Sequence, residues 1–104
     1  MSKGWGYRLT RSDILRLLAQ HRDKLNELKV KRLALFGSVA RGEDKSDSDL
    51  DMLVEFTQPI SLSLYMNLKF FLESLVGREV DLVTPDAIRP RLRPYIEKNL
   101  IDVA

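Results

Sequence analysis

The chain has 104 residues, 44% of them apolar and 31% charged, with a formal net charge of +2. That length supports one compact unit with one core, taken as a single domain over 1–104, and leaves no room for two. The absence of cysteine excludes disulfides, thiolate catalysis and cysteine-bound zinc, so any metal must be held by oxygen or by His21. No run approaches the ~18 apolar residues that cross a bilayer, and the opening MSKGWGYRLTR lacks the apolar stretch of a signal peptide, so a cytoplasmic protein without membrane contact is expected.

Thr10 with Asp13 fits a capping box, and Ile14, Leu18, Leu25 and Leu28 recur near helical spacing, which predicts a helix over 11–28. His21 falls on its apolar face and reads as a satisfied, partly buried side chain rather than a ligand or base. Val30 to Phe36 predicts a strand closed by a turn at Gly37. Asp49 to Phe56 alternates strictly, with Leu50, Met52, Val54 and Phe56 on one face and Asp49, Asp51, Leu53 and Glu55 on the other.

After a turn at Thr57, Gln58 and Pro59, the series Leu64, Leu68, Phe71, Leu72, Leu75 predicts a helix stopped by Gly77. Tyr65, Met66 and Phe70 widen its apolar surface; core packing accounts for most of this, with a smaller share left for a partner-binding strip. Glu79 to Val83 predicts a third strand, and Pro90 and Pro94 allow only short helical pieces beyond it. The sum is an α/β (α+β) domain in which a small mixed sheet of three or more strands packs against two main helices.

Charge is unevenly placed. Residues 1–36 hold nine Lys or Arg against three Asp or Glu, and residues 37–56 hold six acids against two bases. The basic third reads as solvated helix faces, and direct nucleic-acid binding is not expected. The arginines at 89, 91 and 93 fit an exposed basic turn as well as a contact surface. The acids are more telling, because they lie within an apolar segment. Gly37-Ser38, ten residues, then Asp49-Leu50-Asp51 join the end of the first strand to the start of the second. At average residue usage this spacing arises by chance in roughly one chain in a thousand of this length.

Asp49 and Asp51, two apart on a strand, project from one face, and burying two neighbouring carboxylates uncompensated costs several kcal/mol. A hard cation such as Mg²⁺, which takes carboxylate oxygens and phosphates, is the natural counterpart. Asp81 in the third strand could join them if the strands are neighbours. Three acids could hold two ions ~3.5 to 4 Å apart, one activating the attacking oxygen and one stabilising the leaving group. Gly37 and Ser38 fit a phosphate cradle, where a residue without Cβ lets the backbone approach an anion. Arg41 could reach the same phosphates, or could merely solubilise the turn. Ser46, Asp47 and Ser48 read as turn formers, and Trp5 and Tyr7 as anchors of the N-terminal arm.

The stretch LALFGSVARGEDKSDSDLDMLVEF resembles the signature of the DNA polymerase beta-type nucleotidyltransferase superfamily, and more narrowly the minimal nucleotidyltransferase (MNT) antitoxins. The likeness runs from about Leu33 to Val83. It implies that Gly37 and Ser38 bind NTP phosphates, that Asp49 and Asp51 hold Mg²⁺, and that Asp81 is the third catalytic carboxylate. It further implies ATP as substrate and a HEPN-type RNase toxin as partner, neutralised by AMP transfer to a tyrosine. Two other readings stay open: an antitoxin that blocks its toxin by contact alone, and a dimeric enzyme acting on a small molecule.

Overall fold

A computed structural model describes residues 10–37, 40, 49–98 and 100–103. Helices α1 (Arg11–Gln20) and α2 (Arg22–Glu27) lead into strand β1 (Val30–Phe36). Strand β2 (Leu50–Phe56), helix α3 (Leu62–Val76) and strand β3 (Val80–Val83) follow. A single 3₁₀ turn (Pro85–Ala87), helix α4 (Arg93–Lys98) and the two-residue strand β4 (Ile101–Asp102) complete the described elements. The four strands form one sheet in the order β3-β2-β1-β4. β1 is antiparallel to β2 and to β4, and β2 is parallel to β3.

The helix expected over 11–28 is two helices. Its start is as predicted, with the Thr10 hydroxyl and the Asp13 carboxylate each taking the other's backbone N–H. The break falls at His21, whose backbone N–H bonds Leu18 O instead of Leu17 O, while its ring Nδ1 lies 2.9 Å from Leu17 O. The imidazole thus takes the carbonyl that a continuing helix would give to the backbone. Its ring meets Phe71 edge-on, 5.9 Å between centroids, consistent with a structural role.

One face of the sheet is dry. Leu33 and Leu35 from β1, Leu50, Met52 and Val54 from β2, and Val80 and Leu82 from β3 pack with Ile14, Leu18, Leu25, Leu68 and Leu72 from the helices. Each fully buried Leu contributes on the order of 1.5–3 kcal/mol of transfer free energy, which is why the period-2 pattern of β2 fixes which way its acids point. The opposite face carries Asp51, Asp81, Arg32, Glu55 and Asp102. It is not uniformly wet, since Leu53 and Ala34, paired across β1 and β2, are also buried there. On this face Arg32 bonds Asp102 at 2.8 Å and approaches Glu55 at 3.5 Å, tying β4, β1 and β2 together. β4 was absent from the expected elements, because two residues are too few to show alternation.

α3 begins at Ser61, whose hydroxyl accepts from Leu64 N–H, and ends at Gly77 with φ 74°, the left-handed cap that glycine favours. Leu68 and Leu72 face the core, whereas Leu62 and Phe70 are exposed, so the broad apolar surface is only partly accounted for by core packing. A third stripe of α3, Tyr65, Lys69 and Glu73, closes the edge of the sheet. Leu50 N–H bonds Glu79 O, so in this parallel pair the backbone of Glu79, just before β3, and of Asp81 faces β2 while that of Val80 and Leu82 faces outward. Glu73 accepts from Val80 N–H at 3.0 Å, Lys69 donates to Val80 O at 2.5 Å, and the Tyr65 hydroxyl donates to Leu82 O at 2.7 Å. Lys69 and Glu73 also pair with each other at 3.0 Å.

The Val80 N–H, and then Lys69, hold the Glu73 carboxyl below the usual glutamate value, and Glu73 raises Lys69. A lowered carboxyl stabilises the fold fully above its ordinary pKa, and that contribution fades as pH falls through the folded value; a raised amine does the reverse on the alkaline side. Acid titration of unfolding should therefore show a Glu73 component confined to the region below the ordinary glutamate pKa. Glu73→Gln, which keeps an acceptor but not the charge, is expected to flatten that limb in urea unfolding followed from pH 6 to 3; an unchanged acid slope would refute the assignment.

Candidate active site

Two carboxylates stand abreast at the open face of the sheet. Asp51, second residue of β2, is the register partner of Asp81, second residue of β3. Neighbouring strands lie about 4.8 Å apart, and both residues occupy the face turned from the core. Phe36, the last residue of β1, is Asp51's partner on the other side. The parallel pairing follows from the crossover through α3, which returns the chain to the same end of the sheet, so both aspartates come at the start of their strands.

Gly37 completes this corner. It follows β1 with φ 78°, and a Cβ built there would run into the Asp51 carboxylate. Glycine is required twice over, by the left-handed backbone and by the approach of Asp51. Arg11, at the first turn of α1, donates to Ala40 O at 2.6 Å, and Ala40 is buried in the core. Gly37 is therefore held against β2, and Ala40 against α1.

Asp49 precedes β2 by one residue and is exposed, about 6.6 Å along the strand from Asp51. Among the described residues no three acidic or histidine side chains come close enough together to hold a metal. The expected convergence of three acids is thus drawn for Asp51 and Asp81, with Asp49 ahead of the ladder that aligns the other two. Ser38 and Arg41, and the expected turn formers Ser46, Asp47 and Ser48, lie outside the described residues, as do Trp5 and Tyr7.

The Asp51–Asp81 pair fits a hard divalent cation. Like charges side by side across two strands are destabilising, and their all-oxygen donor set is the kind Mg²⁺ prefers. A separate cleft of about 380 Å³ opens at the other end of β2 and β3, lined by Phe56, Gln58, Pro59, Ile60, Thr84 and Pro85 among others. Its nearest β2 carboxylate, Glu55, is four residues from Asp51, roughly 13 Å along the strand, so this cleft and the aspartate corner are distinct.

Sequence patterns did not reveal the Tyr65, Lys69, Glu73 stripe or Arg11. The first had a signal, Tyr65, Lys69 and Glu73 at i, i+4 and i+8, masked by the other polar residues of the helix, Ser63, Asn67 and Ser74; the second had none, since its partner is a backbone carbonyl 29 residues away.

Residues 18–103 match the model of the nucleotidyltransferase domain, and the chain belongs to that family, in its minimal branch. Its relatives narrow the class. Across 88% of its length it is 41% identical to a Methanocaldococcus jannaschii protein, 91% of which is covered, that bears a provisional protein adenylyltransferase name. It is 35% identical, over 91% of its length and 97% of the relative's, to the protein adenylyltransferase MntA of Thermococcus cleftensis. A solved structure described provisionally as a minimal nucleotidyltransferase superposes with a TM-score of 0.80 at 34% identity, covering 92% of this chain and 98% of that one. The fold is shared more distantly by a toxin-antitoxin complex with AMP-PNP, TM-score 0.66 at 24% identity, over 92% of this chain and 73% of that one. The enzyme class is therefore nucleotidyltransferase, of the protein adenylyltransferase kind.

The two left-handed glycines separate backbone strain from the Asp51 contact. Around Gly77 a Cβ would meet nothing, so Gly77→Ala should cost only the left-handed penalty, about 1–2 kcal/mol. Gly37→Ala should cost at least about 1 kcal/mol more, through the overpacking of Asp51. Urea denaturation of both variants compares them; equal losses would show that Asp51 yields freely.

Proposed function

We propose that this chain, acting as one domain over 1–104, is an antitoxin that transfers AMP from ATP to a tyrosine hydroxyl of a cognate HEPN-type RNase toxin and so silences it. The observation that carries the reading is the pairing of Asp51 with Asp81 at a corner built around Gly37, in a chain similar along most of its length to MntA. Support for the partner comes from neighbours of the same fold: one is a toxin-antitoxin complex with AMP-PNP, and another a tri-AMPylated HEPN toxin of Shewanella oneidensis with its MNT antitoxin.

In adenylyl transfer the acceptor oxygen attacks the α-phosphorus, a P–O bond forms there, and the bond to the departing pyrophosphate breaks. Asp49, Asp51 and Asp81 are the side chains that would hold Mg²⁺, two ions if all three take part. Bound there, the metal would supply charge neutralisation of the phosphates and a lowered pKa for the attacking hydroxyl. Asp81, on the strand beside Asp51, would accept the hydroxyl proton. Gly37, Ser38 and Arg41 are assigned to the phosphates: Gly37 lets the backbone come close, Ser38 offers a hydroxyl donor, and Arg41 a charge-assisted one. The cytoplasm, where ATP and an RNase target coexist, is the proposed compartment.

Incubation with labelled ATP, Mg²⁺ and the protein encoded beside this one should label that protein, and Asp49→Ala with Asp51→Ala should reduce labelling by on the order of 10³-fold or more. No label at saturating ATP and Mg²⁺ would refute the reading. Cells still protected by the double variant would instead identify an antitoxin that works by contact. Labelling of a small hydroxyl compound without any protein partner would identify a small-molecule enzyme.

A further inference from the structure

Asp81 lies on an edge strand, and an edge strand has only one neighbour to fix it. Its own backbone is aligned by β2, but the residues on either side of it, Val80 and Leu82, turn their polar groups outward. Those are the groups that α3 occupies: Val80 N–H by Glu73, Val80 O by Lys69, Leu82 O by Tyr65. We infer that the Tyr65, Lys69, Glu73 stripe of α3 is a positioning device for the third carboxylate, clamping β3 immediately before and after Asp81 so that it stands beside Asp51. The inference rests on the adenylyl transfer reading above, in which Asp81 belongs to the reacting centre.

Three features distinguish a clamp from an ordinary surface ion pair. The three side chains recur at i, i+4 and i+8, one line along α3, matched to alternate residues of an extended strand. Each one bonds the backbone of β3, so these contacts set the strand's path and not the identity of its residues. Lys69 and Glu73 are about a quarter exposed, so they lie against the strand instead of extending into water. In metal sites, removal of outer groups that orient a ligand costs on the order of 10- to 100-fold in affinity or activity.

Charge and geometry make opposite predictions for Lys69. Removing a cation near an anionic site should by Coulomb's law tighten binding of a divalent ion, whereas loss of the clamp should weaken it. Lys69→Met, Glu73→Leu, Glu73→Gln and Ser61→Ala are to be compared with the wild type in three measurements: Mn²⁺ affinity by EPR, kcat and KM for ATP in AMP transfer, and thermal unfolding. Ser61→Ala removes the cap of α3 without touching the clamp and controls for loss of stability alone. Lys69→Met and Glu73→Leu should each weaken Mn²⁺ binding and lower kcat on the order of tenfold with little change in KM. Glu73→Gln, which retains an acceptor for Val80 N–H and Lys69, should restore most of both.

If Lys69→Met tightens Mn²⁺ binding, or if it and Glu73→Leu lose stability yet match Ser61→Ala in kcat and Mn²⁺ affinity, the positioning role is overturned while the catalytic reading stands. A wild-type protein that neither binds Mn²⁺ nor transfers AMP overturns the catalytic reading, and this inference with it.

Discussion

The organisation of this protein follows from setting two aspartates side by side on adjacent parallel strands. Like charges in register repel, and nothing in a parallel pair favours them over apolar residues, which normally fill both faces of such sheets. The pair is held in place by what surrounds it. Leu50, Met52 and Val54 commit one face of β2 to the core, so Asp51 must face the other way. The crossover through α3 brings β3 back in parallel, and Val80 and Leu82 commit Asp81 to the same side. Core hydrophobicity therefore does the orienting, and the acids are placed by their neighbours.

Around that pair the chain is arranged to bring other groups close. Gly37 allows β1 to end directly against Asp51, where any other residue would intrude. Arg11 holds Ala40 through its carbonyl oxygen. Elsewhere on the open face Arg32 sits between Glu55 and Asp102 and offsets their charge.

Much of this was legible in the sequence, for identifiable reasons. The β2 pattern is a strict two-residue alternation with charges on one phase, and strands write their facing into sequence more plainly than any other element. The Thr10–Asp13 box and the Gly77 cap are local signals whose partners lie within four residues. What escaped depends on distance or competition. β4 exists because β1 offers an edge at Ala34 and Leu35 to Asp102 and Ile101, a fact about a strand far back in the chain. The break at His21 arises because an imidazole outcompetes a backbone N–H for Leu17 O, while the apolar periodicity on both sides continues unchanged. Ser38 and Arg41 lie outside the described residues; the sequence assigns Ser38 to phosphate by the glycine-serine pair and by resemblance, and Arg41 by its spacing from Ser38.

The helix side chains along β3 have one more effect. Unsatisfied strand borders invite a foreign strand to pair, which is how many proteins recruit partners and how others aggregate. Here that border is already taken, so the sheet has a closed side and can be widened only past β1 and β4. A protein that docks on this domain must therefore approach through side-chain contacts, or from the opposite margin, and cannot zip its own backbone on beside Asp81.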